Sequence, residues 1–302
     1  CMGSPGAILG IWLLGGLLAL AGALCYAELA TAIPQEGGDY IYLTRAYGRR
    51  VGFLFGWTQL AVVRPGDIAL MAFIFARYFH KLLPQAGFSQ LFYAAMAVVV
   101  LTGINILGVK TGKWTQNILT LAKVLGMGAI VIVGFSAPAL VPAPEPPASM
   151  SWGGLDLALI LVMFTFGGWN EMAYVAAEIK NPRRNIVRGL VTGTVAVTVL
   201  YLLMNAAFLT ALGPGPMAAS QAVAVDTMAR VFPETAGRAI AVLICISSRG
   251  AVNGLIFTGA RISYALGGGH VAFRPLGIWH QGLGTPVWAL CIQGVISLAI
   301  IF

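Results

Sequence analysis

The feature that most constrains this chain is a series of apolar runs, each long enough to cross a lipid bilayer. About 20 consecutive apolar residues in a helix span the roughly 30 Å of hydrocarbon. Hydropathy predicts eight such helices, at residues 7–33, 51–79, 91–107, 115–135, 155–177, 189–212, 237–266 and 286–302. The sequence therefore predicts an all-α integral membrane protein, with residues 1–302 forming one transmembrane domain.

The composition agrees with this class. Charged residues make up 9% of the chain and hydrophobic residues 59%, whereas about 25% of the residues in a soluble domain are charged. The net charge of +8 does not indicate nucleic acid, because the basic residues fall in short segments between apolar runs, where they set orientation. The expected surroundings are a lipid bilayer.

The basic residues also predict which segments face the cytoplasm. Cytoplasmic loops carry an excess of Lys and Arg. If residues 1–6 lie outside, the inward loops hold the larger set, and the cytoplasmic segments are 34–50, 108–114 and 178–188. The inward set is Arg45, Arg49, Arg50, Lys110, Lys113, Lys180, Arg183, Arg184, Arg188, Arg261 and Arg274, against Arg77, Lys81, Arg230 and Arg238 outside.

The run at 155–177 carries Gly167 and Gly168 at its centre. Glycine leaves helical geometry at little steric cost, and a broken backbone at membrane depth is tolerated only where protein buries it or a wet cavity receives it. Three aromatics, an amide and a carboxylate surround the pair. They are Phe164, Phe166, Trp169, Asn170 and Glu171. We therefore expect a substrate to bind at this break.

Charged residues inside other runs require partners, because an unpaired charge at the bilayer centre costs at least about 2.5–3.5 kcal/mol on insertion scales. Arg64 and Asp67 are three residues apart on one helical face, which allows an internal pair, and a structural and a functional role are equally open. Arg249 and Glu171 are expected to pair with each other, since a buried arginine opposite a buried acid is favourable. Alternatively, Arg249 faces a water-filled path or another partner.

Lys123 lies eight residues into the run at 115–135, too deep to reach the interface easily. Burial disfavours the charged ammonium, so this amine can gain and lose a proton. The residue is therefore a candidate for coupling to protons. The structural alternative is a lysine that only hydrogen-bonds the end of a broken helix.

Several motifs together resemble one family. The chain is similar to the amino acid permeases of the amino acid–polyamine–organocation superfamily, and within them to the L-type amino acid transporters and their bacterial relatives. The motifs are Gly22-Ala23-Leu24-Cys25-Tyr26-Ala27-Glu28-Leu29, Gly37-Gly38-Asp39-Tyr40-x-Tyr42, Arg64-Pro65, Leu121-Ala122-Lys123-Val124-Leu125, the stretch 177–186, and Ser247-Ser248-x-Gly250-x-x-Asn253-Gly254. Arg249 departs from the hydrophobic residue usual in the last motif.

The resemblance implies a leucine-transporter-type fold of two inverted five-helix repeats, each beginning with a discontinuous helix. The broken run at 155–177 then opens the second repeat, although only four spans precede it. We therefore expect about eight of twelve transmembrane helices here, with the first helix lying before Cys1 and the last ones also missing.

The resemblance also implies a function. It is secondary active transport of amino acids by alternating access, sodium-independent because Lys123 takes the place of a sodium ion, and either proton-coupled or exchanging. Phe164 is implied to close over the substrate, and Gly167 and Gly168 to form the unwound turn. The implied pocket residues are Phe166, Trp169 and Asn170, with Ser247, Ser248 and Asn253 lining the eighth helix. Which amino acid is carried is left open.

Three other interpretations are considered beside a stand-alone transporter: a sensor or channel, an enzyme, and a transporter linked to a partner chain. A sensor or channel on the same scaffold would bind the substrate without cycling. An enzyme is not expected, because the three histidines (His80, His270 and His280) lie near loops, and no metal-ligand cluster or nucleophile–base spacing occurs. No metal or cofactor is expected. L-type transporters of animals are tethered to a heavy chain through a cysteine in the outer loop after the third helix. Residues 80–89 contain none, so a stand-alone permease of the plasma membrane is expected.

Overall fold

The computed structural model describes residues 4–84, 87–138 and 152–302. Within them, helices are the only regular elements, and His280 and Thr285 form an isolated bridge. The elements are α1 (Pro5–Ala32), α2 (Asp39–Tyr47), α3 (Arg49–Thr58), a π-turn (Gln59–Val63), α4 (Arg64–Leu82), α5 (Gln90–Ile106), α6 (Val109–Ser136), α7 (Trp152–Thr165), a first 3-10 helix (Glu171–Glu178), α8 (Pro182–Leu212), α9 (Pro214–Ala219), α10 (Val223–Ala229), α11 (Ala236–Gly269), a second 3-10 helix (Val271–Gly277) and α12 (Val287–Ile301). The predicted all-α class is confirmed.

Among these residues, five helices are long and apolar enough to cross a membrane, and three shorter helices are also apolar. The long ones are Pro5–Ala32, Arg49–Leu82, Val109–Ser136, Pro182–Leu212 and Ala236–Gly269, and the shorter ones are Gln90–Ile106, Gly154–Thr165 and Val287–Ile301. The chain is therefore a multi-pass membrane protein. Residues 1–3 of the predicted outer terminus lie outside the described residues.

All three segments predicted as cytoplasmic loops are at least partly helical, and in 108–114 α6 already begins at Val109. Residues 34–50 contain α2, which is bounded by Gly38 and Gly48 with φ of 44° and 88°. Likewise, α8 begins at Pro182 rather than near residue 189, a helix position that proline favours because its missing N–H is not needed there. Hydropathy detects only the apolar part of a helix, so the polar turns that extend it into the interface were read as loop.

The helical stretch from Arg49 to Leu82 is irregular at its centre. The Arg64 N–H donates to the carbonyl of Gln59, five residues back. Pro65 follows directly, and because proline has no N–H, the regular helical ladder is interrupted there. The π-turn places the side chains of Gln59 and Arg64 together, since Arg64 Nε donates to Gln59 Oε1 at 3.2 Å. Such turns occur frequently at functional sites.

The chain divides into two compact units. The first comprises Cys1–Ala27, Val124–Asn170 and Val187–Ile240, and the second Glu28–Lys123, Glu171–Ile186 and Ala241–Phe302. In the first, buried Ile11, Ala19, Val162 and Phe166 form a core between α1 and α7. In the second, α5 and α12 pack on α4, around a core that includes Ile68, Val98, Ile256 and Leu290.

Candidate functional site

The predicted break lies between α7, which ends at Thr165, and the first 3-10 helix, which begins at Glu171. Gly168 has a φ of 94°, a conformation that favours glycine because it has no Cβ to clash. The Gly167 N–H donates to the Phe164 carbonyl at 3.2 Å, so the chain turns out of the helix at its last residues. Residues 166–170 therefore form a non-helical bridge at the centre of an apolar run.

An aromatic cluster of Trp12, Phe166 and Tyr201 holds the end of α7 in the first unit. The Phe166 ring centroid lies 6.0 Å from that of Trp12 and 5.1 Å from that of Tyr201. The Tyr201 hydroxyl donates to the Thr165 carbonyl at 3.3 Å. Phe166 is 4% exposed and was expected to line the pocket. Because it is enclosed by this cluster, it packs the helix end.

Phe164 differs from Phe166 although it lies only two residues earlier. Its exposed fraction is 80%. A large aromatic left uncovered next to a helix break can close over a bound molecule, which an enclosed ring cannot do. The expected role of Phe164 in closing over the substrate stays a prediction.

Trp169 rests against α1 in the same unit. Its ring meets that of Tyr26 edge-on, with centroids 5.2 Å apart and an interplanar angle of 89°. A Cβ added at Gly22 would lie 2.8 Å from the Trp169 ring, so only glycine leaves room for it. Gly22 and Tyr26, both in the same motif of α1, thus pack against the ring of Trp169. Asn170, the next residue, is partly buried.

In the second unit, Glu171 is bound by Arg64. Arg64 Nη2 lies 2.9 Å from Glu171 Oε1, and Nη1 donates to Oε2 at 3.1 Å, so the pair is bidentate. Arg64 also donates to Thr258 Oγ1 at 3.4 Å, and its guanidinium lies 4.9 Å from the ring centroid of Tyr174. The arginine is 5% exposed, and this set of partners compensates its burial.

This arrangement corrects the pairings expected from the sequence. Arg64 does not form an ion pair with Asp67, because a helical side chain leans toward the N-terminus of its helix, which carries Arg64 toward Gln59 and away from Asp67. The expected pair of Arg249 with Glu171 is also wrong, since Arg64 binds that carboxylate. The guanidinium of Arg249 lies instead 4.5 Å from the ring centroid of Phe75.

A second ion pair lies at the other end of the same 3-10 helix. Arg261, fully buried in α11, donates through Nε to Glu178 Oε1 at 2.7 Å and through Nη2 to Oε2 at 3.3 Å. Its guanidinium stacks on Phe257 at 3.8 Å. Arg261 was counted as an inward loop residue, which is wrong. The apolar run around it was the available signal, because a charge inside such a run predicts a buried partner.

Tyr174, between these two acids, connects to the Gly-rich segment. Its hydroxyl donates to Asp39 Oδ2 at 2.5 Å, and the Gly37 N–H donates to its carbonyl at 3.2 Å. In α2, outside the predicted spans, burial raises the pKa of Tyr42 to about 12, and the Asp39 carboxylate adds to that shift. The Tyr42 phenol is therefore protonated at neutral pH. Sequence reasoning assigned none of these contacts.

The polar residues expected to line the eighth helix are largely engaged in helix packing. Asn253 is fully buried; it donates to Gln116 Oε1 at 2.9 Å and accepts from Asn105 Nδ2 at 2.8 Å. Ser248 donates to the Ile244 carbonyl at 2.7 Å, one turn back in its own helix. Ser247 is partly buried. Asn253 therefore joins α5, α6 and α11. Of the three residues expected to line the eighth helix, only Ser247 has a side chain without a hydrogen bond within the described residues.

Lys123 lies in the middle of α6 and is partly buried. Its ammonium makes no ion pair and no hydrogen bond with another described residue. In the described residues, no group of three or more His, Cys, Asp or Glu side chains is placed to hold a metal ion.

Residues 1–302 match the family model described as Amino acid permease. The b(0,+)-type amino acid transporter 1 of Mus musculus is 35% identical over 98% of this chain and 62% of its own length. The Asc-type amino acid transporter 1 of Rattus norvegicus is 33% identical over 96% and 57%, and the large neutral amino acids transporter small subunit 2 of Homo sapiens is 33% identical over 98% and 58%. The chain thus spans less than two thirds of the length of these curated relatives.

Proposed function

Because this chain belongs to the amino acid permease family, we propose that it moves amino acids across the plasma membrane as a secondary active transporter that works by alternating access. The relatives at 33–35% identity carry the names of amino acid transporters, not of enzymes. The proposal therefore concerns binding and movement of a substrate without chemical change.

The broken helix carries the proposal. At residues 166–170 the backbone leaves helical geometry inside an apolar run, with Gly168 in a conformation that favours glycine. In transporters built from discontinuous helices, the freed backbone groups and helix-end dipoles bind the substrate. The C-terminal end of α7 carries partial negative charge, which suits the ammonium of an amino acid. We place the substrate's charged groups at this bridge.

The aromatic residues near the break receive different roles. Exposed Phe164 closes over the bound amino acid, whereas Trp169 and Asn170 form the side of the pocket. Phe166 stabilises the end of α7 through Trp12 and Tyr201 and does not contact the substrate.

Lys123 supports sodium-independent transport. A partly buried ammonium without an ion-pair partner among the described residues can replace a bound sodium ion electrostatically. Transport is then either proton-coupled or an exchange of amino acids. Because residues 80–89 contain no cysteine, we propose that the transporter acts without a disulfide-linked heavy chain. One human relative is named a small subunit.

The test uses the full-length protein in proteoliposomes with a panel of radiolabelled amino acids. Uptake and counterflow are measured with and without sodium and with an imposed pH gradient. We expect saturable counterflow that does not require sodium. Binding without counterflow would identify a sensor, and uptake without saturation a channel, and either would overturn the proposal.

Three variants assign the roles. Gly168→Val is expected to abolish uptake because a β-branched residue is strained at a φ of 94°, and Phe164→Ala is expected to lower uptake.

Lys123→Ala is expected to remove any dependence of uptake on the pH gradient. The control is Lys113→Ala, which replaces an exposed lysine of the same helix and should leave that dependence unchanged. Full-rate, proton-dependent uptake in Lys123→Ala would exclude the coupling role.

A further inference from the structure

A cavity of about 400 Å³ lies within the second unit, between α4, α5, α6 and α11. None of residues 166–170 lines it, and neither the proposed transport function nor the expected site residues, apart from Arg249, involve it. Its walls are almost entirely apolar. The volume falls within the range of small-molecule sites, roughly 300–1,000 Å³.

Arg249 lines this cavity and is the positively charged residue among the lining residues. Its guanidinium lies 4.5 Å from the ring centroid of Phe75 and 5.8 Å from that of Phe79. Unlike Arg64 and Arg261, each of which holds a carboxylate at two atoms, Arg249 has no ion pair and no hydrogen bond within the described residues. Arg249 is exposed in the described part of the chain, but it lies in an apolar run, where a cation–π contact offsets only part of the cost of a charge. An anionic group is therefore the expected partner.

Tyr93 lines the same cavity and supplies a second unmatched polar group. The residue is 7% exposed, and its hydroxyl is buried without a hydrogen-bond partner in the described part of the chain. Buried hydroxyls are normally paired. An oxygen-bearing ligand would supply what the protein lacks here.

The outer wall of the cavity is an open apolar strip on α5. Phe92, Met96 and Val100 recur every four residues along one face and are 40%, 45% and 47% exposed. With a rise of about 1.5 Å per residue, the strip from Phe92 to Val100 is roughly 12 Å long. The strip can take up part of one extended acyl chain.

We propose that this groove binds a fatty acid drawn from the bilayer, with its carboxylate on the guanidinium of Arg249 and its acyl chain along Phe92, Met96 and Val100. A two-chain phospholipid is too large for about 400 Å³. An amino acid is disfavoured because its ammonium would need a carboxylate, and no Asp or Glu lines the cavity.

Binding of palmitate to the purified full-length protein in nanodiscs tests this, with a radiolabelled ligand and unlabelled competitors. Methyl palmitate has the same chain without the charge, so it is expected to compete at least roughly tenfold more weakly than palmitate, as loss of a charged hydrogen bond predicts. Arg249→Leu is expected to weaken palmitate to the level of the ester. Arg77→Leu removes an exposed arginine of α4 that does not line the cavity, and it should leave palmitate binding unchanged.

A second variant tests the groove without touching the charge. Val100→Trp fills the open strip at a position that already tolerates exposure, so it should weaken palmitate and methyl palmitate alike. Equal binding of acid and ester to the wild-type protein, or palmitate binding unaffected by both Arg249→Leu and Val100→Trp, overturns the proposal. So does the absence of saturable binding by folded protein, displacement of palmitate by phosphatidylglycerol, or displacement by a transported amino acid. None of these measurements depends on transport.

Discussion

The two segments on either side of the break are held by different forces. Before it, in the first unit, the end of α7 rests on the aromatic cluster of Trp12, Phe166 and Tyr201. After it, in the second unit, the 3-10 helix is fixed at each end by a bidentate ion pair, Arg64 with Glu171 and Arg261 with Glu178. Aromatic rings can pack against each other in several relative orientations. A buried bidentate ion pair forms only when the guanidinium and the carboxylate are aligned for two parallel hydrogen bonds. The segment after the break is therefore the more strictly positioned within its unit.

The difference also predicts how each segment responds to substitution. Removing a ring leaves a cavity, whose cost depends on how far the neighbours collapse. Removing one member of an ion pair leaves the other charge buried, and that cost is largely recovered when the second member is removed as well.

The largest effect is expected at the second ion pair. Arg261→Met should lower the free energy of unfolding by about 3–5 kcal/mol, because Glu178 is left unpaired. The double variant Arg261→Met/Glu178→Met should regain most of this loss. Denaturant unfolding in detergent micelles measures both. A double variant as unstable as the single one would show that the charges do not act as a pair.

A substitution in the aromatic cluster should lower the free energy of unfolding by a comparable amount. No second substitution is expected to restore it, because no charge is left unpaired. Phe166→Ala is expected to cost about 3 kcal/mol, the lower end for phenylalanine, since Trp12 and Tyr201 can partly close the cavity. Phe164→Ala is the matched control, because its ring is 80% exposed, and it should change the unfolding free energy little. Equal losses in the two variants would contradict the assignment of Phe166, but not Phe164, to packing.

A smaller effect is expected at the first ion pair. In this pair the Glu171 side chain is 32% exposed, against 20% for Glu178, so solvent can stabilise the carboxylate once it is alone. Arg64→Met should therefore cost about 1.5–3 kcal/mol, less than Arg261→Met in the same unfolding assay. The reverse order would mean that Gln59 and Thr258 contribute more to Arg64 than Glu171 does.

The smallest effect is expected at the hydroxyl of Tyr201. Tyr201→Phe keeps the ring against Phe166 and removes only the hydrogen bond to the Thr165 carbonyl, whose 3.3 Å length indicates a weak bond. We expect a loss of about 0.5–1 kcal/mol, measured as a shift in the unfolding midpoint. A loss as large as that of Phe166→Ala would show that polar bonding, not ring packing, holds the end of α7.

Much of the fold was accessible from the sequence because its signals are local. Run length and hydropathy predict the membrane class, and the motifs predict the family. The bounds of helices were less accessible, as α2 and the first turns of α8 illustrate, because hydropathy cannot distinguish a polar helical turn from a loop. At the site, the glycine pair was visible, but the roles of its neighbours were not. Phe164 and Phe166 are the same residue type two positions apart, and only packing decides which ring is enclosed.

By itself, the sequence determined that the chain crosses a membrane as apolar helices and which family it belongs to, since both depend on residue type and spacing along the chain. Only the tertiary structure decided which charges pair. Arg64 binds a glutamate 107 residues away and Arg261 one 83 residues away, whereas Arg249 received no acid among the described residues. A charge inside an apolar run indicates that a partner is needed. Which residue becomes the partner depends on three-dimensional proximity and on the direction in which each helix projects its side chains.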